Sequence, residues 1–181
     1  MSGLQNLDTF KNEEFKRGAS YFKQVLWHFC SSLFFKSSFP FYGIKVKLLK
    51  LFGAKVGNKV LIKPHVNIKF PWRLIIRDNV WIGEQVWIDN LDTVFIGNNV
   101  CLSQGAMLLC GNHNYKSAAF ELFTAPITIQ NHVWICAKAI VGPGVLCEEG
   151  AILKPLSFAN NKLIAGGIYC GNPAVFIKYR F

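Results

Sequence analysis

From Val56 onward an aliphatic residue returns at every sixth position: Val56, Ile62, Ile68; then Ile76, Ile82, Ile88; then Ile96, Leu102, Leu108. After a gap the series resumes as Ile129, Ile135, Val141, Cys147 and Leu153, so thirteen of these fourteen positions are Val, Ile or Leu. Four residues after each leader stands a second inward candidate, usually small or β-branched, such as Val60, Val66, Val80, Val86, Ala106 and Ala139. Gly57, Gly83, Gly97 and Gly142 follow several leaders directly. A helical face needs spacings of three and four, and sandwich strands joined by variable turns do not keep a fixed period of six. The pattern predicts short strands joined by tight corners, stacked coil on coil so that each buries the aliphatic side chains of its neighbours. The phase slips by two at Leu74-Ile75 and at Val94-Phe95, which makes the predicted coil twenty residues long. The expected organisation is an N-terminal helical segment over 1–55, a parallel β-helix over 56–165 and a tail over 166–181.

The repeat breaks once, over 112–126, and the break opens on Gly111-Asn112-His113-Asn114-Tyr115. Loops that interrupt a rigid solenoid are where function concentrates. Stacking by twenty puts His113 in a column with Thr93 and Arg73, and Asn112 in one with Asp92 and Trp72. Asp92 and Asn112 are thus polar where the repeat asks for an apolar residue, as happens at functional sites. An imidazole titrates near neutrality and suits proton abstraction from a hydroxyl. A solvated loop histidine is the bland alternative.

Charge is uneven. Residues 1–55 hold nine Lys or Arg against three Asp or Glu. Such an excess can serve an anionic lipid, a phosphorylated ligand or nucleic acid, and it can also be a plain solubilising surface. No nucleic-acid-binding motif is present, so nucleic acid is not an expected partner. Six cysteines without CxxC spacing read as reduced thiols in a cytoplasmic protein. No secretory leader is recognisable, and the apolar stretch Val25 to Phe35 is too short to span a bilayer.

Between Glu13 and Phe35, Phe15, Phe22, Leu26, Phe29 and Leu33 follow helical spacing, and Lys45 to Phe52 suggests a second short helix ended by Gly53. Phe39-Pro40-Phe41 should be the link. These helices are expected to pack their apolar residues on the first coil as a cap. The alternative is peripheral contact with the inner face of the membrane, given Trp27, the phenylalanines and the scattered lysines.

Cys101-Leu102-Ser103-Gln104-Gly105-Ala106, followed by Leu109-Cys110-Gly111-Asn112-His113-Asn114-Tyr115, resembles the hexapeptide-repeat sugar O-acetyltransferases grouped with colanic-acid biosynthesis. More distantly it resembles the maltose and galactoside O-acetyltransferases. Further matches are Phe70-Pro71-Trp72, Trp87-Ile88-Asp89-Asn90, Val141-Gly142-Pro143-Gly144-Val145 and Gly171-Asn172-Pro173-Ala174. The resemblance implies a left-handed coil and a homotrimer with active sites between subunits. It further implies acetyl-CoA as acyl donor, a sugar or glycan hydroxyl as acceptor, no metal, and His113 as general base. By position it makes Asp89, Asn90, Asp92, Asn112 and Tyr115 candidates for the acceptor. Trp134, Ala137, Lys138, Lys178 and Arg180 become candidates for coenzyme A.

The chain departs from the family pattern in two places. It has Lys154-Pro155-Leu156-Ser157 and Asn160-Asn161-Lys162 near the expected nucleotide end, and Gly83 and Leu91 where the maltose and galactoside enzymes place a substrate-site Asn and Asp. Their acceptor preference therefore does not carry over. Two competing functions are a non-catalytic scaffold with a basic binding surface and a zinc enzyme like the γ-class carbonic anhydrases. The latter needs three histidine ligands, and His65 and His132 do not share the required spacing with His113.

Overall fold

The computed structural model describes residues 4–12, 15–38 and 41–181. Two-to-three-residue strands stack into three parallel sheets, one per side of the β-helix expected from the repeat, left-handed as the resemblance implies. The first sheet holds Lys55–Val56, Leu74–Ile76, Val94–Ile96, Ile127–Ile129 and Leu146–Cys147. The second holds Leu61–Ile62, Trp81–Ile82, Cys101–Leu102, Trp134–Ile135 and Ile152–Leu153, and is extended by the terminal hairpin Gly167–Gly171 and Ala174–Tyr179. Asn67–Ile68, Trp87–Asp89, Met107–Leu109, Ile140–Val141 and Phe158–Ala159 make the third.

The six-residue period has a backbone cause. Lys59 and His65, Asn79 and Gln85, Asn99 and Gly105, then His132, Lys138, Gly144, Gly150 and Leu156 have φ between 52° and 76°, one left-handed residue at each of these corners, while the corners at 69–73 and 89–93 do without one. Non-glycine residues adopt this at a cost of roughly 1 kcal/mol each, which burial of the leading aliphatics must offset. Ile62, Ile82 and Leu102 stack in one column and Ile68, Ile88 and Leu108 in another, all at most 1 % exposed. Along one corner the side-chain oxygens of Asp78, Asn98 and Asn131 accept from the backbone N–H of Asn58, Asp78 and Asn98 at 2.6, 3.0 and 2.8 Å. This ladder satisfies donors that the strands leave free.

The twenty-residue coil holds for the first three turns, where Val56 pairs with Ile76 and Ile76 with Ile96. Beyond the interruption the coil shortens to eighteen, Ile129 pairing with Cys147. The expected column of His113 with Thr93 and Arg73, and that of Asn112 with Asp92 and Trp72, does not form. Gly111–His113 instead folds back on Leu122–Thr124 as an antiparallel hairpin, and the solenoid resumes with Ile127 opposite Val94. An insertion of this length cannot fit into a corner, so it pairs with itself and leaves the stack.

Helices α1 (Tyr21–Phe34) and α2 (Tyr42–Leu51) precede the first coil. Ser20 caps α1, its hydroxyl accepting from the Lys23 amide. Trp27 is buried against Phe35 and Phe52, and its indole N–H donates to the Ile68 carbonyl at 3.0 Å. Leu49 and the stem of Lys45 are also buried, the Lys45 ammonium donating to the Lys63 carbonyl. The helices thus pack on the solenoid, but not through the residues expected. Phe22, Leu26, Phe29 and Leu33 face outward, and of the expected stripe only Phe15 packs inward, against Phe70. Residues 39 and 40 of the expected link, and Glu13, lie outside the described residues.

Candidate active site

The hairpin that carries His113 leaves the third sheet after Leu109. Gly111 sits at its root, where a Cβ would come within 2.5 Å of Leu91 Cδ1, so any larger residue there would have to push the Leu91 side chain aside. Asn114 donates its N–H to the Glu121 carbonyl, and the Ser117 hydroxyl donates to the Glu121 carboxylate at 2.8 Å, closing the far end. That hydrogen bond is the main reason the Glu121 carboxyl is held below its ordinary range.

His113 is half-buried and held on three sides. Its ring lies parallel to Phe120, centroids 4.3 Å apart at 3°, and Phe10 presents its ring edge-on at 5.6 Å. Nδ1 lies 2.8 Å from the Phe120 carbonyl oxygen. A carbonyl only accepts, so Nδ1 carries the proton and the neutral ring exposes the Nε2 lone pair. Phe120 makes both contacts from a left-handed backbone conformation, φ 50°. The N-terminal segment is tied to the same hairpin, the Asn6 amide donating to the Ala118 carbonyl at 2.8 Å. Neither Phe10 nor Phe120 carries a sequence signal that would have singled it out.

The acceptor candidates separate. Asn112 and Tyr115 are exposed and, with His113, Lys116 and Phe123, line a cavity of about 500 Å³. Asp92 is half-buried and accepts from the Thr93 amide. Asp89 pairs with Lys69 at 2.9 Å in a different cavity, between α1 and the third sheet. Asn90 is fully buried, its amide accepting from the Phe70 N–H at 2.9 Å and donating to the Phe70 carbonyl. Asn90 therefore has no group left to present to an acceptor; it closes the corner at Phe70.

On the second sheet a groove of about 510 Å³ runs past Ser103, Trp134, Ala137, Lys154, Ile177 and Lys178. Three of the coenzyme A candidates, Trp134, Ala137 and Lys178, meet here. The Trp134 indole donates to the Ser103 hydroxyl at 2.8 Å. Lys138 and Arg180 lie outside the groove. Lys138 is a left-handed corner residue whose stem covers Gly105, and the Arg180 guanidinium rests over Phe181. Ser103 and Gln104 continue the groove into a cleft of about 300 Å³ beside Trp81, Gly83 and Glu84. Both belong to the hexapeptide Cys101 to Ala106, which signalled them only by resemblance. The groove and the His113 hairpin arise from different sheets and share no lining residue.

Among the described residues no group of three or more His, Cys, Asp or Glu is placed to hold a metal ion. His65 and His132 are corner residues of the solenoid. All six cysteines are unpaired.

No protein-family model matches the chain. It is 34 % identical over 178 residues, 98 % of each protein, to WcaF of Escherichia coli (strain K12), named as a colanic acid biosynthesis acetyltransferase. It is 27 % identical over 130 residues to the galactoside O-acetyltransferase of the same organism, covering 68 % of this chain and 64 % of the relative. Among solved structures it superposes on the hexapeptide-repeat acetyltransferase VCA0836 of Vibrio cholerae, complexed with acetyl coenzyme A, with a TM-score of 0.82 at 19 % identity, over 95 % of this chain and 96 % of that one. A galactoside acetyltransferase in complex with coenzyme A gives a TM-score of 0.78 at 22 % identity, over 87 % and 80 %. Full-length identity to WcaF, on a fold shared with these structures, shows that the chain belongs to the colanic acid biosynthesis acetyltransferase family of hexapeptide-repeat acyltransferases.

Proposed function

We propose that this enzyme transfers acetyl from acetyl-CoA to a hydroxyl of a sugar or glycan intermediate of polysaccharide biosynthesis, with His113 as general base. The observation that carries the reading is the hydrogen bond from Nδ1 to the Phe120 carbonyl, which leaves Nε2 as the basic nitrogen. Nε2 takes the proton as the acceptor oxygen bonds to the thioester carbonyl carbon. The C–S bond then breaks, and the imidazolium returns the proton to the departing sulfur. The parallel Phe120 ring and the edge-on Phe10 ring fix the imidazole plane, the kind of orientation on which proton transfer depends.

Coenzyme A is assigned to the groove beside Trp134, Ala137 and Lys178, whose apolar walls and two ammonium groups, Lys154 and Lys178, suit a pantetheine arm ending in a phosphate. The acceptor is assigned to the cavity of Asn112 and Tyr115. Because groove and histidine stand on different sheets of one chain, the reading includes a homotrimer in which His113 of one subunit faces the groove of the next. Unpaired cysteines agree with a cytoplasmic location, with the N-terminal segment at the inner face of the membrane. Among the described residues no helix is long and apolar enough to cross it.

The test is His113→Ala assayed by release of the coenzyme A thiol. Turnover should fall about 10²- to 10⁴-fold with an unchanged unfolding midpoint. Retained turnover would remove the histidine from the mechanism.

A further inference from the structure

α1 is apolar on two opposite sides. Trp27 and Ser31 are buried on the side packed against the solenoid. The opposite side carries Phe22, Leu26, Phe29 and Leu33, exposed by 75, 49, 67 and 62 %. Their spacing of four, three and four residues sets them in one line along the helix. A helix with apolar residues on two sides calls for cover on both, and a contiguous exposed apolar line marks a binding surface.

Charge identifies what covers it. Between residues 15 and 77 the sequence holds thirteen Lys and Arg and no Asp or Glu. Arg17 and Lys36 stand exposed at the two ends of α1, where they border the cavity on its packed side, and on α2 the exposed Lys47 and Lys50 lie beside exposed Ile44 and Leu51. A line of large apolar side chains on a segment with this excess of Lys and Arg over Asp and Glu is the composition of a helix lying in the surface of an anionic bilayer. An apolar protein partner would not call for that excess of positive charge.

We infer that the outer stripe of α1, Phe22, Leu26, Phe29 and Leu33, docks the enzyme on an anionic membrane surface. This deepens the reading of a glycan acceptor by placing the enzyme where a lipid-linked one would be found, but binding itself is independent of acetyl transfer.

The experiment is flotation of the full-length protein with vesicles of phosphatidylcholine alone and of phosphatidylethanolamine with phosphatidylglycerol. The wild type should float with the anionic vesicles, less so at high salt, and hardly with the neutral ones. Phe22→Ser combined with Phe29→Ser should reduce binding at least about tenfold, leaving acetyl transfer to a soluble acceptor and the sedimentation mass unchanged. Failure of the wild type to bind, or equal binding by the double variant, overturns the inference. A double variant that falls apart into smaller species assigns the stripe to contact between copies of the chain and overturns it too. Loss of acetyl transfer in His113→Ala with vesicle binding intact separates the two readings.

Discussion

The Phe120 residue holds His113 twice, its carbonyl oxygen accepting from Nδ1 at 2.8 Å while its ring lies parallel to the imidazole at 4.3 Å. The two contacts can be separated, because a substitution removes the ring and leaves the carbonyl. Phe120→Ala should lower kcat about tenfold through looser orientation, with the KM for acetyl-CoA nearly unchanged. Phe120→Tyr, which keeps a ring, should restore most of the rate. A change confined to KM, or no rescue by Tyr, would contradict the positioning role.

The Lys178 ammonium stands at the groove that Trp134 walls. Lys178→Ala should raise the KM for acetyl-CoA about tenfold, equivalent to about 1.4 kcal/mol, with kcat little affected. Coenzyme A should correspondingly give a smaller thermal shift with this variant than with the wild type.

Subunit mixing tests whether one site draws on two chains. His113→Ala and the combination Trp134→Ala with Lys178→Ala should each be nearly inactive at low acetyl-CoA. When the two are co-expressed, about a quarter of the sites combine an intact histidine with a neighbour's intact groove, and activity should return in that proportion. If histidine and groove served from the same chain, no activity would return.

Asn90 bonds both backbone groups of Phe70 from a fully buried position. Asn90→Ala leaves a buried donor and acceptor unsatisfied and should destabilise by about 3 kcal/mol. Urea denaturation should show it as an earlier midpoint with an unchanged slope, while the acceptor KM of the folded fraction stays the same.

Burial pushes the Cys147 thiol up to about 12, and burial is also the main cause for Cys110 and Cys136, pushed up to about 11 each. In each case the unfolded chain loses its proton first as pH rises, so the thiol form favours folding fully below about pH 9 and its contribution declines between there and the raised value. The unfolding midpoint should drop above pH 9, and Cys147→Val should flatten that fall. A midpoint independent of pH across this window would refute the assignment.

The columns of Ile62, Ile82, Leu102 and of Ile68, Ile88, Leu108 were legible in the chain because a solenoid buries each coil only against its sequence neighbours, so a local period suffices to specify the core. His113 was legible because it stands where that period stops. What stands beside it was not: the hairpin pairing of Asn112 with Phe123 replaced the expected column with Asp92, and Phe10 arrives from a distant segment. These partners are chosen by contacts between remote parts of the chain, which a repeat does not encode. α1 shows the same division. Its residues specify a helix, but both of its sides are apolar, and only the fit of the Trp27 indole to the Ile68 carbonyl decided that Phe22 and Phe29 face outward.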